Sequence, residues 1–237
     1  MSDKPVALIT GAGRRFGFEL AKSLLAEGYH VIAHYNTSRE GVAELEQQGA
    51  TGVQADLTDT VAIRQMIATI RDVTDRIDIM VNNASCFFDN ATVDSDPACL
   101  AAVFQVHVQA PYLLIKGLRE LLQQASNPLV VNITDIYTDS PTTSHIAYCA
   151  AKAGLANLTK SFAKSLAPTI RVNAIQPGPI LFLPEHDSEH RQKVLSETPL
   201  KVEGGLKPMI QAVRFLRDNT FITGEFLKVD GGRALQI

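Results

Sequence analysis

Tyr148 and Lys152 stand four residues apart in Tyr148-Cys149-Ala150-Ala151-Lys152, the spacing that puts a phenol and an ammonium on one face of a helix. A cation beside a phenol favours the phenolate, which is expected to lower the Tyr148 pKa and make it a proton donor near neutrality. Asp135, thirteen residues upstream, closes an apolar run in register to join them. A second constellation lies near the N-terminus, where Thr10-Gly11-Ala12-Gly13-Arg14-Arg15-Phe16-Gly17 follows one apolar run and opens a helical pattern. There Gly11 permits a tight turn, Gly17 lets helix and strand approach closely, and the N–H groups of the helix start face a pyrophosphate. The third is His34-Tyr35-Asn36-Thr37-Ser38-Arg39, with no acid before Glu40. A site for NAD usually places Asp or Glu at this point to hold the ribose 2′-OH. A carboxylate would repel a 2′-phosphate, whereas Arg, Ser, Thr and His donate to it. His34 to Arg39, with Arg14 nearby, therefore predict NADPH as cofactor.

These residues need a scaffold, and the hydrophobic pattern supplies one. Val6–Thr10, Val31–Tyr35, Gly52–Asp56, Ile77–Val81, Leu129–Ile133, Ile170–Ile175 and Phe221–Val229 read as strands. Between them fall helical patterns: Phe16, Leu20, Leu24 and Leu25; about Arg39 to Gln48; and Ile63, Met66, Ile67 and Ile70. A long helix opens at Asp96-Pro97 and runs to about Leu122, and another covers about Thr143 to Leu166. Strands alternating with helices imply βαβ units and a parallel sheet covered on both faces. The expected fold is α/β, a single-domain Rossmann-type doubly wound sheet over residues 1–237, with a substrate lid about 180–207.

Composition narrows the class. The 237 residues carry 22 Lys+Arg against 25 Asp+Glu, a net charge of −3, with 46% hydrophobic and 20% charged residues. Such a chain buries a large core, and its mild acidity argues against nucleic acid as a partner. No apolar run approaches the ~20 residues that span a bilayer. The Met1–Thr10 stretch is too short for a signal peptide. Cys86, Cys99 and Cys149, odd in number with no close pair, make neither a disulfide framework nor a zinc ribbon. A soluble cytoplasmic enzyme without metal or membrane partner is the expectation. His186 and His190, with Glu185 and Glu189, mimic a metal pair but have no third anchor, so they read as a solvated lid. His145 is either a surface residue or part of the site rim.

Taken in order, the Thr-Gly loop, Asp56, Asn82-Asn83-Ala84-Ser85, Tyr148-x₃-Lys152, Pro177-Gly178 and Ile222 to Gly232 resemble the short-chain dehydrogenase/reductase family over essentially the whole chain. The departures are informative. Arg15 replaces a usual glycine, Asp135 the usual catalytic serine, and His107 the Asn common on the middle helix. Arg15, Asp135, His34-Tyr35 and Asn83-Ala84-Ser85-Cys86-Phe87 resemble the pteridine reductase branch. His107 to Tyr112 and Ile180-Leu181-Phe182…Glu185-His186-Asp187 look most like its bacterial dihydromonapterin reductases.

The resemblance implies NADPH-dependent reduction of 7,8-dihydropterins to tetrahydropterins, with hydride to C6 and protonation at N5. The substrate would be dihydromonapterin or a dihydrobiopterin-like compound, with dihydrofolate a further candidate. Asp135, Tyr148 and Lys152 are the implied catalytic residues. Gly11, Arg14, Arg15, Phe16 and the His34 to Ser38 segment would hold the phosphates, Asp56 and Leu57 the adenine side, and Asn83, Ala84 and Ser85 the ribose. Tyr148, Lys152, Pro177, Gly178 and Ile180 would complete the cofactor site. Arg15, Ser85, Phe87, Asp135 and Tyr148 would meet the pterin, with Phe87 as a stacking face. A homotetramer built on the two long helices and the last strand is also implied. The alternatives are a generic ketone or 3-oxoacyl reductase, which Ser at 135 would favour, and an NADPH-sensing binding protein, which has no need of Tyr148-x₃-Lys152.

Overall fold

The computed structural model describes residues 4–183 and 186–237. Seven parallel strands form one sheet: β1 (Val6–Ile9), β2 (His30–Tyr35), β3 (Thr51–Gln54), β4 (Ile79–Asn82), β5 (Leu129–Ile133), β6 (Arg171–Pro177) and β7 (Phe226–Val229). Their order is β3-β2-β1-β4-β5-β6-β7, so the chain reverses direction between β1 and β4. That switch point opens a crevice at the carboxyl ends of the strands, where ligands of such sheets bind.

Ten helices flank it among the described residues: α1 (Arg15–Ala26), α2 (Arg39–Gln47), α3 (Thr60–Val73), α4 (Asn90–Ser95), α5 (Pro97–Phe104), α6 (Ala110–Gly117), α7 (Arg119–Gln123), α8 (Ile146–Leu166), α9 (Ser188–Ser196) and α10 (Lys207–Asp218). Successive strand residues point to opposite faces. Leu8, Met80 and Val130 therefore pack beneath α3, α6 and α8, while Ala7, Ile9, Ile79 and Val131 pack against α1, α2 and α10. With both faces covered, the central strands are apolar throughout. A polar rung crosses this core, in which Asn82 donates to Asn132 (2.7 Å) and Asn132 to Thr159 of α8 (2.9 Å).

The expected fold class is present, with shifted edges. β3 ends at Gln54 because Asp56 turns back to accept from the N–H and hydroxyl of Thr58, both at 2.8 Å. β7 begins at Phe226, and the segment before it, with Gly224 at φ +78, is a turn. The α8 helix starts three residues later than expected. The helix opened by Asp96, which accepts from Ala98 N–H as an N-cap, is not continuous to Leu122. A π-turn, Gln105–Gln109, separates α5 from α6, and Leu118 breaks α6 from α7. The composite Pro97–Gly117 stretch, 21 residues of mean hydropathy 1.5, is long and apolar enough to cross a membrane, which corrects the expectation that no such run exists. Val103, Val106, Ala110, Leu114 and Ile115 of this stretch are buried. The patterns of α4, α9 and α10 were not anticipated, although Met209, Ala212, Val213 and Leu216 give α10 a clear buried stripe.

Candidate active site

A cavity of about 780 Å³ lies at the carboxyl ends of the strands, and every residue nominated above for cofactor, substrate or catalysis lines it except Arg39. One end is the β1–α1 loop. Its shape follows from collisions that larger residues would make. A Cβ at Gly17 would sit 2.3 Å from the Gly11 carbonyl oxygen, and one at Gly13 would sit 2.3 Å from that of Ser38. Thr10 Oγ1 accepts from the N–H groups of Asn83 (2.9 Å) and Ala84 (3.0 Å). The Asn83 amide donates in return to the carbonyls of Thr10 (2.9 Å) and Gly11 (3.1 Å). Asn83 therefore braces the loop with its amide N–H groups and its backbone N–H. Arg14 precedes α1 in extended conformation without a side-chain cap, leaving the helix-start N–H groups to an anion. Arg15 adopts φ +53, a left-handed conformation that costs a non-glycine residue about 1–2 kcal/mol. Its guanidinium reaches the Leu181 carbonyl at 3.4 Å across the cavity.

The end of β2 needs two further corrections. His34 is only 2% exposed. Its Nδ1 accepts from Gly11 N–H (3.2 Å), and Nε2 lies 3.1 Å from the Ala55 carbonyl, so the ring joins two backbone segments. Burial lowers its pKa to about 4, and no donor remains for a phosphate. Arg39 is paired with Glu46 at 2.6 Å and lies over the Tyr35 ring, outside the cavity. Asn36, Thr37, Ser38 and Arg14 are left to meet a 2′-phosphate. The cradle of glycines and the absence of a carboxylate among Asn36, Thr37 and Ser38 fit a phosphorylated dinucleotide.

The other end collects titratable side chains. Tyr148 Oη donates to Asp135 Oδ2 at 2.8 Å, while Asp135 Oδ1 accepts from Tyr137 N–H at 2.9 Å. Lys152 Nζ donates to the Ile133 carbonyl at 2.7 Å and lies 5.6 Å from the Tyr148 ring centre. α8 presents both residues on its buried face, as the i, i+4 spacing requires. Burial raises the Asp135 pKa, and burial together with the Asp135 carboxylate raises that of Tyr148. The expected lowering of the Tyr148 pKa is thus reversed, first by burial of the phenol and then by the carboxylate it faces. Burial lowers Lys152 to about 8 against the opposing pull of Asp135. Phe87, 54% exposed, has His145 stacked on its ring at 4.2 Å and Tyr148 edge-on at 4.7 Å. His145 thus rims the site and covers one face of the expected platform.

Gln176 carried no sequence signal, and the partners of Ser85, His107, His186 and His190 were not legible in it. Gln176 donates to the Asp135 carbonyl at 3.2 Å from β6. The Ser85 hydroxyl lies 2.9 Å from His107 Nε2. At the mouth, the His186 and His190 rings are 4.4 Å apart and both stand edge-on to Phe182, so they line the cavity as well as meeting solvent. Glu185, nominated beside them, lies outside the described residues. Among the described residues no cluster of three or more His, Cys, Asp or Glu side chains is arranged for a metal. Cys149 is buried and Cys86 half-buried, and burial pushes the Cys86 thiol up to about 11.

The family described as enoyl-(acyl carrier protein) reductase matches residues 11–234. The chain is 38% identical over 230 residues to a dihydromonapterin reductase of Enterobacter sp., covering 96% of each chain. It is 37% identical to that of Citrobacter koseri, over 97% of this chain and 96% of the other. Among solved structures it is similar to the FolM alternative dihydrofolate reductase 1 of Brucella canis complexed with NADP, with a TM-score of 0.87 at 32% identity, covering 98% and 94% of the two chains. The Brucella suis counterpart, also in complex with NADP, gives a TM-score of 0.88 at 33% identity, covering 98% and 96%. Glycine cradle, Tyr-Lys pair, Asp135 and these likenesses together establish that the chain belongs to the short-chain dehydrogenase/reductase family, in its pteridine reductase branch.

Proposed function

We propose that this protein is an NADPH-dependent reductase of 7,8-dihydropterins, with dihydromonapterin or a dihydrobiopterin-like compound as substrate and a tetrahydropterin as product. The observation that carries this reading is the 2.8 Å bond from Tyr148 to the Asp135 carboxylate. A developing alkoxide calls for neutral donors, and a carboxylate beside it would oppose the charge. A ring nitrogen that gains a proton calls instead for an acid that holds one at neutral pH. Tyr148, its pKa raised by burial and by Asp135, holds such a proton, and Asp135, its own pKa raised by burial, accepts the Tyr148 hydrogen bond.

Bound NADPH supplies the hydride, which goes to C6 of the dihydropterin. Gly11, Gly13 and Gly17 shape the cradle for its pyrophosphate, and Arg14, Thr37 and Ser38 meet its 2′-phosphate. Lys152 holds a positive charge beside the reacting end and bonds ribose hydroxyls. The Asp135–Tyr148 pair delivers a proton to N5 and recovers it from solvent. Phe87 offers its uncovered face to the flat ring. The described parts of the 180–207 segment, residues 180–183 and 186–207, serve as the lid of a single domain, with Phe182 and Leu181 closing over the substrate.

The outer faces of the middle helices carry exposed Leu100, Phe104, Tyr112 and Ile146, which supports assembly into a homotetramer. The protein is assigned to the cytoplasm. Light scattering should give a tetramer mass, and a monomer mass independent of concentration overturns that part. NADPH oxidation measured with dihydropterins, dihydrofolate and simple ketones tests the activity. Dihydropterins should be turned over fastest, and faster turnover of ketones would remove the assignment.

A further inference from the structure

His107 sits in the π-turn Gln105–Gln109 and faces Tyr148 edge-on at 5.4 Å. Single π-turns within long helices recur at functional sites. Each ring nitrogen has one partner. Nδ1 is 2.9 Å from the Val103 carbonyl, and Nε2 is 2.9 Å from the Ser85 hydroxyl. A carbonyl only accepts, so Nδ1 carries the hydrogen. The ring is 1% exposed, and burial, helped by Lys152, keeps it neutral by lowering its pKa well below the usual value. A neutral imidazole with hydrogen on Nδ1 has a lone pair on Nε2. Ser85 must then donate its own hydrogen to His107. What Ser85 presents to the cavity is the remaining lone pairs of its oxygen.

We propose that His107 is a positioning residue that fixes Ser85 as a hydrogen-bond acceptor, so that the cavity selects a substrate ring presenting an N–H or NH2 group at that point. A serine free to rotate serves as donor or acceptor and selects neither. Held by His107, it favours an amino-substituted nitrogen heterocycle over a substrate whose only polar atom is a carbonyl oxygen. Around it, Tyr148 and Lys152 are donors, so Ser85 supplies the complementary polarity. The inference rests on the dihydropterin reading and adds what recognises the ring apart from what protonates it.

Steady-state kinetics with 7,8-dihydromonapterin for Ser85→Ala, His107→Leu, His107→Gln and the Ser85→Ala/His107→Leu double variant tests it. Ser85→Ala and His107→Leu should each raise KM about tenfold with little change in kcat, the pattern of lost binding rather than lost chemistry. The double variant should be no worse than the singles. His107→Gln, which keeps an acceptor for Ser85, should recover most of the loss. NADPH affinity should not move in the two single His107 variants. Additive losses, a fall in kcat at constant KM, or a loss carried by NADPH affinity overturns the proposal. Should His107→Leu fail to fold, the ¹⁵N spectrum of the wild-type ring decides, since hydrogen on Nε2 instead of Nδ1 overturns the assignment of Ser85. A wild-type enzyme that turns over ketones but no dihydropterin removes the functional reading, while the ring tautomer still judges the polarity of Ser85.

Discussion

At the glycine-loop end of the cavity side chains serve the backbone: Thr10, His34 and Asn83 each bond main-chain atoms, and Gly13 and Gly17 exist to keep Cβ atoms out. At the other end side chains also meet one another: Tyr148 bonds Asp135 beside the buried Lys152, and His107 lies against Ser85. The first end is a mould whose side chains are committed to the backbone, leaving the N–H groups at the start of α1 to a ligand. The second gathers groups whose protonation burial has disturbed, an arrangement that lowers stability and is kept where chemistry needs it. Damage to the first should therefore appear in cofactor affinity or folding, and damage to the second in turnover.

Tyr148→Phe gives the strongest test. Removing the hydroxyl should lower kcat on dihydropterin by about 10³-fold while NADPH still binds. A parallel loss of NADPH affinity, read by fluorescence titration, would blur the two ends into one. Asp135→Asn should lower kcat by about 10²-fold. It also carries a pH signature. Lys152 loses its proton at about 8, so the wild-type rate should decline above that pH. The Asp135 charge raises the Lys152 pKa, so removing it should move this basic limb to lower pH; a move upward contradicts the electrostatics.

The cofactor end is tested by Ser38→Asp, which puts a carboxylate where a 2′-phosphate is expected. NADPH affinity should fall about tenfold to a hundredfold relative to NADH, measured by isothermal titration. Equal loss for both cofactors would mean that Ser38 shapes the loop without reading the phosphate. The smallest effect is expected from Arg15→Gly. Relief of its φ of +53 stabilises the folded state, while the freer unfolded glycine opposes part of this. A net gain of about 0.5–1 kcal/mol in urea unfolding is expected, accompanied by a weaker substrate KM. A loss of stability would show that the Arg15 side chain outweighs its backbone strain.

The two ends also differed in how far the sequence revealed them. Gly11 and Gly17 were legible because the φ of +68 at Gly11 and the contact of Gly17 with the Gly11 carbonyl are local to a strand–loop–helix turn. Tyr148 and Lys152 were legible because helical spacing fixes a shared face, and Asp135 because it stood in register with them. Illegible was anything that depends on what a polar atom finds across the fold. His34 looked like a phosphate donor until Gly11 and Ala55 claimed both nitrogens. Lys152 was expected to draw the proton from Tyr148, and burial with Asp135 reversed the direction. Ser85 and His107 lie 22 residues apart on different elements, and only tertiary packing makes them partners. The sheet was read nearly whole because buried parallel strands write themselves as apolar runs, whereas α9 has no buried residue and left no stripe to read.

The π-turn at Gln105–Gln109 has a consequence for how such a chain changes over generations. An α-helix advances about 100° per residue, so one surplus residue would turn everything beyond it by that angle unless a wider turn takes it up. Replacing His107 alters one side chain and leaves that turn untouched. The wider turn takes up that surplus residue, so deleting one residue of it would heal the helix and leave α6 in nearly the same phase relative to α5. Leu114 and Ile115, now fully buried, would stay on the sheet, whereas the local widening that carries His107 to Ser85 would be lost. Lineages carrying this turn are therefore separated from those with an uninterrupted helix by a change of length. A single deletion crosses that gap with the core intact, and what it removes is the match between His107 and Ser85.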